Sequence, residues 1–379
     1  MTDSERAIAE SPGVSWSDRW LAFRNGLLKN PRFQRWAAAF WLTRPIARRR
    51  ASALFDLTAG FVYSQVLYAG VRLRLFEILE DGPMSVAELA TAMRLSDDAA
   101  RRLLDAAASL HLTERCGADR FGLGIHGASL LGNPSVAHMI EHHAMLYRDL
   151  ADPVALLRGD QEHTAIGSFW RYDKETTDSE VAGYSRLMAS SQALIAEDIV
   201  EAYPFERHRR LLDVGGGEGA FVTTVARAQP ALALALFDLP AVAERARLCI
   251  DEAGLASRVE VTGGDLFADA LPDGADIVSL VRIVHDHDDE AALEILRSVR
   301  AALPPGGTIL IAEPMSNTPG AEAMGDAYFG LYLLAMGQGR PRSFERLAEM
   351  CAASGFTDLR KIRTRRPMLT RILVGRADR

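Results

Sequence analysis

The chain has 379 residues, 48% hydrophobic and 25% charged, which predicts a globular protein with a core large enough for two domains. Residues 1–10 lack the apolar core of a secretory signal, and no apolar stretch is long enough to predict a membrane-spanning helix. Three widely spaced cysteines fit a reducing cytoplasm and match neither a disulfide framework nor a zinc site. The net charge of −7 disfavours a nucleic-acid-binding groove across the main domains.

Residues 16–50 form a basic, tryptophan-rich arm, with nine basic residues against one acid and four of the five tryptophans. Its aromatic residues recur at helical spacing: Trp16, Trp20 and Phe23 before the Asn30-Pro31 pair, and Phe33, Trp36 and Phe40 after it. Asn30 is a suitable cap and Pro31 a suitable first residue for a second helix. Two interpretations stay open: a helical hairpin packed on a partner subunit, or an amphipathic element lying in a bilayer interface.

Residues 51–190 are predicted to be mostly helical. The pattern predicts one helix over Val71–Leu79, a second that begins with a capping box of Ser85 and Glu88, and a third after Ser96. A two-stranded wing over 113–124 would complete a winged helix. DNA-binding modules often have this order, but the third helix begins with two aspartates, which repel phosphates. We therefore expect a role in dimerisation or in covering a substrate, and no nucleic acid.

Residues 191–379 alternate strands and helices, which predicts a parallel α/β sheet. Polar residues follow successive strands at intervals that each fit one strand–helix unit. They are Asp213, Asp238, Asp265, His285 and Glu313. Since the carboxyl ends of parallel strands line one crevice, these five residues are expected to converge.

A glycine-rich loop opens this third region, with Gly215, Gly217 and Gly219 at alternate positions after a short strand. Glycines allow the backbone to turn sharply and to approach a ligand closely. With Ala220, the loop also satisfies the G-x-G-x-x-A dinucleotide fingerprint, which often matches by chance. The loop alone therefore predicts a nucleoside site without choosing between cofactors.

Three features favour S-adenosyl-L-methionine over a nicotinamide dinucleotide. Asp213 precedes the glycines by two positions, where methyltransferases commonly have an acid. Asp265, in Val-Thr-Gly-Gly-Asp-Leu-Phe, is placed to meet the adenine, and the strand that follows runs into Arg282 and His285. Asp238, at the end of the strand after the glycine loop, is placed to bind ribose hydroxyls and marks a nucleoside site.

His285 is the candidate general base, because an alcohol is a weak nucleophile until its proton begins to leave. Glu313 is expected to accept the other ring N–H and to hold the imidazole in its working tautomer. The spacing of His285, His287 and Asp289 also imitates a dinuclear metal motif, but Glu290 stands where a further histidine is needed. We therefore expect no metal site.

The chain resembles the small-molecule O-methyltransferases that include plant caffeate-type and acetylserotonin enzymes. The likeness spans roughly residues 60–379 and lies in Asp-Val-Gly-Gly-Gly-x-Gly, Phe-Asp-Leu-Pro, Gly-Gly-Asp-Leu-Phe, Arg-Ile-Val-His-Asp-His and Gly-Arg-Pro-Arg-Ser. It implies a homodimer and a Rossmann-like methyltransferase domain (191–379) preceded by a helical winged-helix dimerisation and lid domain (51–190). Residues 1–50 contain the arm. The expected cofactor-binding residues are Asp213, Gly215, Gly217, Asp238, Leu239, Asp265, Leu266, Phe267 and Arg282. Tyr184 and Met188 would lie near the donor methyl.

Residues 20–75 narrow the resemblance. Asn-Pro-Arg-Phe-Gln-Arg-Trp-Ala, Thr-Arg-Pro-Ile-Ala-Arg-Arg and Phe-Asp-Leu-Thr-Ala-Gly-Phe-Val-Tyr-Ser-Gln are similar to the carotenoid branch of the family in purple phototrophic bacteria. This implies methylation of the tertiary hydroxyl of an acyclic hydroxycarotenoid, with peripheral contact between the arm and a membrane. The acceptor would lie against Tyr328, Phe329 and Tyr332. A bacteriochlorophyllide or phenol acceptor is the alternative within the class, and a ligand-sensing winged-helix regulator is the alternative from another class.

Two positions depart from the family pattern. His287 stands where relatives have tryptophan, and Pro341 stands where plant relatives have a second carboxylate beside the base. An aliphatic tertiary alcohol is also much less acidic than a phenol. We therefore expect positioning to contribute more to the rate than basicity does.

Overall fold

The computed structural model describes residues 15–170 and 192–378, and their contacts divide the chain into two compact units, Met1–Ile125 and His126–Arg379. The functional boundaries after residues 50 and 190 stay a prediction. Within the described ranges, no helix is both long enough and apolar enough to cross a bilayer.

The first unit is a set of helices with a small antiparallel sheet. Its helices are α1 (Trp16–Leu28), α2 (Pro31–Ala39), α3 (Arg44–Arg72), α4 (Leu75–Ile78), α5 (Val86–Met93) and α6 (Asp97–Ser109). Its strands are β1 (Met84–Ser85), β2 (Thr113–Arg115) and β3 (Arg120–Leu123), in the order β1-β3-β2. This confirms the winged helix, with β2 and β3 as the wing.

The predicted helix starts in this unit are confirmed by their caps. The Asn30 side chain accepts N–H groups at the start of α2, Ser85 and Glu88 form a reciprocal capping box on α5, and Ser96 caps α6. The single helix predicted over Val71–Leu79 is wrong. The chain leaves α3 after Arg72, and Arg74 adopts a left-handed conformation (φ 55°) before α4 begins.

The second unit is an α/β domain. Its helices are α7 (Ile125–Leu131, from the unit boundary), α8 (Pro134–Asp149), α9 (Pro153–Arg158), α10 (Ala165–Trp170), α11 (Ala220–Ala228), α12 (Pro240–Glu252), α13 (Asp289–Ala302), α14 (Phe329–Met336) and α15 (Phe344–Ala353), and residues 192–202 are also helical. Its strands are β4 (Arg210–Val214), β5 (Ala233–Asp238), β6 (Val259–Gly263), β7 (Ile277–Val281), β8 (Thr308–Glu313), β9 (Phe356–Ile362) and β10 (Arg371–Ala377).

These strands form one sheet in the order β6-β5-β4-β7-β8-β10-β9. Neighbours from β6 to β8 are parallel, and β10 is antiparallel to β8 and β9. The strand order reverses between β4 and β7, and ligands in such sheets bind outside the carboxyl ends of the strands at this switch point. The predicted α/β fold is therefore confirmed, and it places a crevice between these two strands.

Apolar side chains cover both faces of the central strands. Leu212 and Val278 belong to the cluster on one face, and Leu211 and Ile277 to the cluster on the other. Strands buried on both faces read as continuous apolar runs rather than alternating ones, as β7 and β8 do here. The rigid sheet therefore fixes the positions of the loops at its carboxyl edge.

Candidate functional site

The glycine-rich loop follows β4 and leads into α11. Gly215, Gly217 and Gly219 all have positive φ, between 57° and 86°, which favours glycine at each position. A Cβ on Gly215 would lie 2.4 Å from Ile283 Cδ1, so the loop packs closely on the segment after β7. At Gly217 the corresponding space is open. Gly215 therefore lies against a neighbouring segment, while the space beside Gly217 is open to a ligand.

Asp238, at the end of β5, joins this loop to the next strand. Its carboxylate accepts the N–H of Gly217 at 2.8 Å and that of Leu239 at 2.7 Å. Burial raises the pKa of this carboxyl. A carboxylate has about four acceptor positions, so two N–H groups leave capacity for ribose hydroxyls.

Asp213 lies under the loop, at the switch point of the sheet. Ser279 Oγ is 2.7 Å from its Oδ1, while Oδ2 is buried and has no hydrogen-bond partner among the described residues. Burial raises the pKa of Asp213 to about 7. An unsatisfied buried oxygen at this place fits a ligand that supplies a donor.

The segment after β6 borders the site and is open to solvent. Asp265 is exposed and accepts the N–H of Phe267 at 2.9 Å. The Phe267 ring lies 5.4 Å from that of His287, so the loops after β6 and β7 meet. Leu239 and Phe267 are exposed, whereas Leu266 packs partly into the core.

His285 lies in a single tight turn, Val284–Asp286, that follows β7, and only 2% of it is exposed. Its backbone N–H donates to Glu313 Oε2 at 3.0 Å, and its ring Nε2 lies 3.2 Å from Asp286 Oδ1. Among the described residues, neither His285 Nδ1 nor Glu313 Oε1 has a hydrogen-bond partner. The predicted contact between Glu313 and the ring is therefore wrong: the end of β8 holds the backbone of the turn, and Asp286 contacts the imidazole.

The surroundings of His285 keep its imidazole uncharged at neutral pH. Burial, followed by the nearby charges of Arg282 and Arg342, holds the pKa of His285 well below its usual range. Burial also raises the pKa of Glu313 to about 8. A neutral imidazole can accept a proton, which a general base must do.

Arg342 braces the same turn and was missed as a functional residue. It is 2% exposed, and its guanidinium donates to the carbonyls of Val284 and His287, each at 2.7 Å, and to Asp289 at 2.9 Å. The loop that carries it also packs closely, since a Cβ on Gly339 (φ 81°) would lie 2.4 Å from the His285 carbonyl oxygen. The sequence signal was the Gly-Arg-Pro-Arg-Ser motif, but nothing local distinguishes its buried arginine from a surface one.

An aromatic wall, formed by Tyr328, Phe329 and Tyr332, lies beside this turn. Phe329 is 5.9 Å from the His285 ring, and the Arg282 guanidinium lies 5.7 Å from the Phe329 ring centre. Each tyrosine hydroxyl of the wall is hydrogen-bonded to a histidine on α8. The structure therefore brings the three predicted acceptor residues together. Tyr184 and Met188 lie outside the described residues.

The fold and this edge of the sheet define a class of enzyme, and comparison with known proteins agrees. Residues 147–357 match the O-methyltransferase domain family, and residues 55–124 match the O-methyltransferase dimerisation domain. The chain belongs to the O-methyltransferase family and is an S-adenosyl-L-methionine-dependent enzyme with a dimerisation domain. The predictions of fold, enzyme class and cofactor are thereby confirmed. A nicotinamide dinucleotide cofactor and a ligand-sensing winged-helix regulator are no longer alternatives.

Individual relatives are more specific. The chain is 45% identical to demethylspheroidene O-methyltransferase of Cereibacter sphaeroides over 87% of this chain and 88% of the relative. It is 40% identical to the Rhodobacter capsulatus protein of the same name over 88% and 84%. The S-adenosylhomocysteine-bound form of CalO1, a methyltransferase in calicheamicin biosynthesis, superposes with a TM-score of 0.73 at 27% identity, over 87% of this chain and 98% of that one. The resemblance to the carotenoid branch is confirmed.

Proposed function

We propose that this enzyme transfers a methyl group to the tertiary hydroxyl oxygen of an acyclic hydroxycarotenoid, in the synthesis of spheroidene-type carotenoids. The observation that carries the proposal is the aromatic wall beside a buried, neutral imidazole. The two relatives named for demethylspheroidene methylation support this class of acceptor.

The cofactor is proposed to bind at the carboxyl edge of β4 to β7. The residues proposed to hold it are Asp213, Gly215, Gly217, Asp238, Leu239, Asp265, Leu266, Phe267 and Arg282. Bound S-adenosylmethionine supplies a methyl carbon on a sulfonium, which is already activated towards a nucleophile. The glycine loop supplies an open backbone, Asp238 retains acceptor positions, and Asp213 retains an unsatisfied oxygen.

His285 is proposed to receive the hydroxyl proton of the acceptor. Asp286 orients its ring, while Glu313 and Arg342 hold the turn that carries it. Because an aliphatic alcohol is a weak acid, its proton leaves late, after the oxygen–carbon bond has begun to form. The chain therefore contributes mainly by fixing the hydroxyl in line with the donor.

The aromatic wall suits a polyene because its polar atoms are already engaged. Tyr332 Oη accepts from Trp170 Nε1 at 2.8 Å and lies 2.7 Å from His142 Nε2, and Tyr328 Oη lies 2.7 Å from His143 Nε2. Burial lowers the pKa of His142 to about 4 and holds that of His143 below its usual range, and it raises the pKa of both tyrosine hydroxyls. Both pairs are therefore uncharged at neutral pH. Ring faces and neutral pairs favour an apolar chain over a charged acceptor.

The test is methyl transfer from labelled cofactor to a panel of detergent-dispersed acceptors: acyclic hydroxycarotenoids, chlorophyllides and phenols. We expect turnover with hydroxycarotenoids and a product whose mass rises by one methyl group. Turnover confined to a chlorophyllide or a phenol would replace the proposed acceptor while leaving the enzyme class intact.

The proposed partners are a second copy of the chain and, peripherally, the membrane that holds so apolar an acceptor. Nucleic acid bound at the winged helix is not among them, because the basic residues at the start of α6 are engaged: Arg101 pairs with Asp119, and Arg102 with Asp98 at 2.8 Å. Retention of duplex DNA at physiological salt would contradict this part of the proposal, and sedimentation velocity tests the dimer.

A further inference from the structure

The arm, residues 16–50, contains a helix that buries nothing. No residue of α1 is buried, and its aromatic side chains are outside: Trp16 is 86% exposed, Trp20 61% and Phe23 60%. A lone helix of this length is marginal in water, because most helical stability in proteins comes from packing an apolar face. The described part of the chain therefore does not cover the apolar face of α1.

The next helix continues the same surface. Ala37 is the one buried residue of α2, while Trp36 and Phe40 stack outside it with ring centres 5.2 Å apart. Trp41, in the following turn, is 71% exposed. Grouped aromatic side chains on the outside of two consecutive helices are unusual for surface that stays in water.

The charge of the arm is equally one-sided, and all of it is accessible. The nine basic side chains are exposed: Arg19, Arg24, Lys29, Arg32, Arg35, Arg44, Arg48, Arg49 and Arg50. The one acid is Asp18, which caps α1. None of the nine forms an ion pair with another residue in the ranges 15–170 and 192–378. A surface with exposed aromatic rings and unpaired cations complements a partner that has an apolar interior and an anionic surface.

A second copy of the chain is the competing occupant, and a neighbouring surface fits it better. The middle of α3, residues 54–62, exposes Leu54, Phe55, Leu57, Phe61 and Val62, with a single charged residue, Asp56, in that stretch. The match to the dimerisation domain begins at residue 55, after the arm ends. The two surfaces thus differ in chemistry: one is apolar and nearly uncharged, the other aromatic and cationic.

We propose that the arm docks on an anionic lipid surface, with its tryptophans at the headgroup boundary and its basic residues facing anionic headgroups. Tryptophan favours that boundary, and each basic residue near the surface adds to the attraction. This deepens the proposed membrane contact by naming the docking segment and the class of lipid. It rests on the proposed function only for the reason to contact a membrane, which is the apolar acceptor. Docking itself does not involve the acceptor.

The test uses the full chain with vesicles of phosphatidylcholine alone or with about a third phosphatidylglycerol. We expect binding to the anionic vesicles only, weakened by salt. Four of the five tryptophans lie in the arm, so intrinsic tryptophan emission should shift to the blue on binding.

The triple variant Arg48→Gln, Arg49→Gln, Arg50→Gln should bind the anionic vesicles about a hundred-fold more weakly. A matched variant with Arg227, Arg297 and Arg363 changed to Gln, which removes the same charge from exposed sites in the second unit, should bind like the unmodified chain.

A second variant tests the aromatic side chains: Trp20→Ser with Trp36→Ser and Trp41→Ser, against Leu248→Ser as an exposed apolar control. Loss of vesicle binding with an unchanged sedimentation coefficient supports the proposal. Vesicle binding that is equal in all variants overturns it, and so does dissociation of the dimer by the tryptophan variant without loss of vesicle binding. Methyl transfer to detergent-dispersed acceptors reports separately on the proposed function, because arm variants should leave it unchanged.

Discussion

The two units use their apolar residues in opposite ways. In the second unit, the inner strands β4, β7 and β8 are almost completely buried between two apolar clusters. In the first unit, the arm and much of α3 turn large apolar side chains outwards. The contrast teaches that a hydrophobic pattern predicts helices and strands equally well in both units. The pattern does not predict what covers the apolar face of each element. The sheet is covered by its own chain, whereas the large apolar side chains of the arm are exposed.

The largest expected effect is a difference in stability between the two regions. Leu212→Ala, within β4, should lower the free energy of unfolding by about 3 kcal/mol, since it removes buried contacts and leaves a cavity. Trp20→Ala, in α1, should change it by less than about 0.5 kcal/mol in the absence of lipid. Denaturant unfolding followed by circular dichroism measures both. Equal losses would mean that the arm packs on the rest of the chain.

Next in size is the effect of removing the candidate base. His285→Ala should lower kcat by about a hundred-fold, towards the low end for general-base catalysis, because positioning is expected to dominate. Affinity for S-adenosylhomocysteine, measured by calorimetry, should stay within about two-fold. An unchanged kcat would remove His285 from the reaction, and complete loss would show that basicity outweighs positioning.

A smaller effect is expected at Arg342, which joins the site to the rigid part of the second unit. Arg342→Lys should lower kcat by about ten-fold, because an ammonium cannot replace a planar guanidinium on three acceptors. Arg342→Gln also removes a charge that depresses the pKa of His285. The acidic limb of its pH–rate profile should therefore move to higher pH, whereas that of Arg342→Lys should not. Arg346→Lys is the control, since Arg346 pairs with Asp289 but does not contact the turn.

The pH dependence of stability is expected to depend on a buried carboxyl, Glu313. Burial raises the pKa of Glu313 to about 8, so its carboxyl stays protonated in the folded state while it ionises in the unfolded state above about 4.5. Its contribution to stability is fully present below that pH and is lost as pH rises towards 8. Glu313→Gln retains an acceptor for the His285 N–H and removes this loss. Its Tm relative to the unmodified chain should therefore rise from pH 5 to pH 8, and a constant difference would contradict the assignment.

Local signals made much of the fold predictable. Helix caps such as Asn30, Ser85 and Ser96 act within three residues, so their meaning is complete in the sequence. The strand-end residues were predictable because sheet topology brings the ends of parallel strands together. The break at Arg74 was not, since its helical spacing continues while the backbone leaves the helix.

The site was predictable as a set of residues but not as a set of contacts. Glu313 and His285 were expected to be neighbours, yet which atoms meet depends on how a three-residue turn follows β7. Arg342 makes contacts with residues 53 to 58 positions earlier in the chain, and no periodicity records them. The exposure of a helix is equally hard to predict from sequence. The aromatic spacing of the arm predicted helices, but it did not predict that α1 buries none of its side chains.

The segment before α14 contains a helical turn with more residues per turn than an α-helix has. Residues Ala323–Tyr328 form a π-helix, in which Gly325 approaches the Met315 carbonyl so closely that a Cβ would lie 2.5 Å from it. Removing one residue from this turn would restore ordinary helical winding and rotate the preceding residues by about 100° relative to Tyr328. The glycine and the tyrosines could then no longer face their present neighbours together. The length of this short stretch is therefore as constrained as its composition, and shortening it should damage acceptor binding even if every side chain of the aromatic wall were kept.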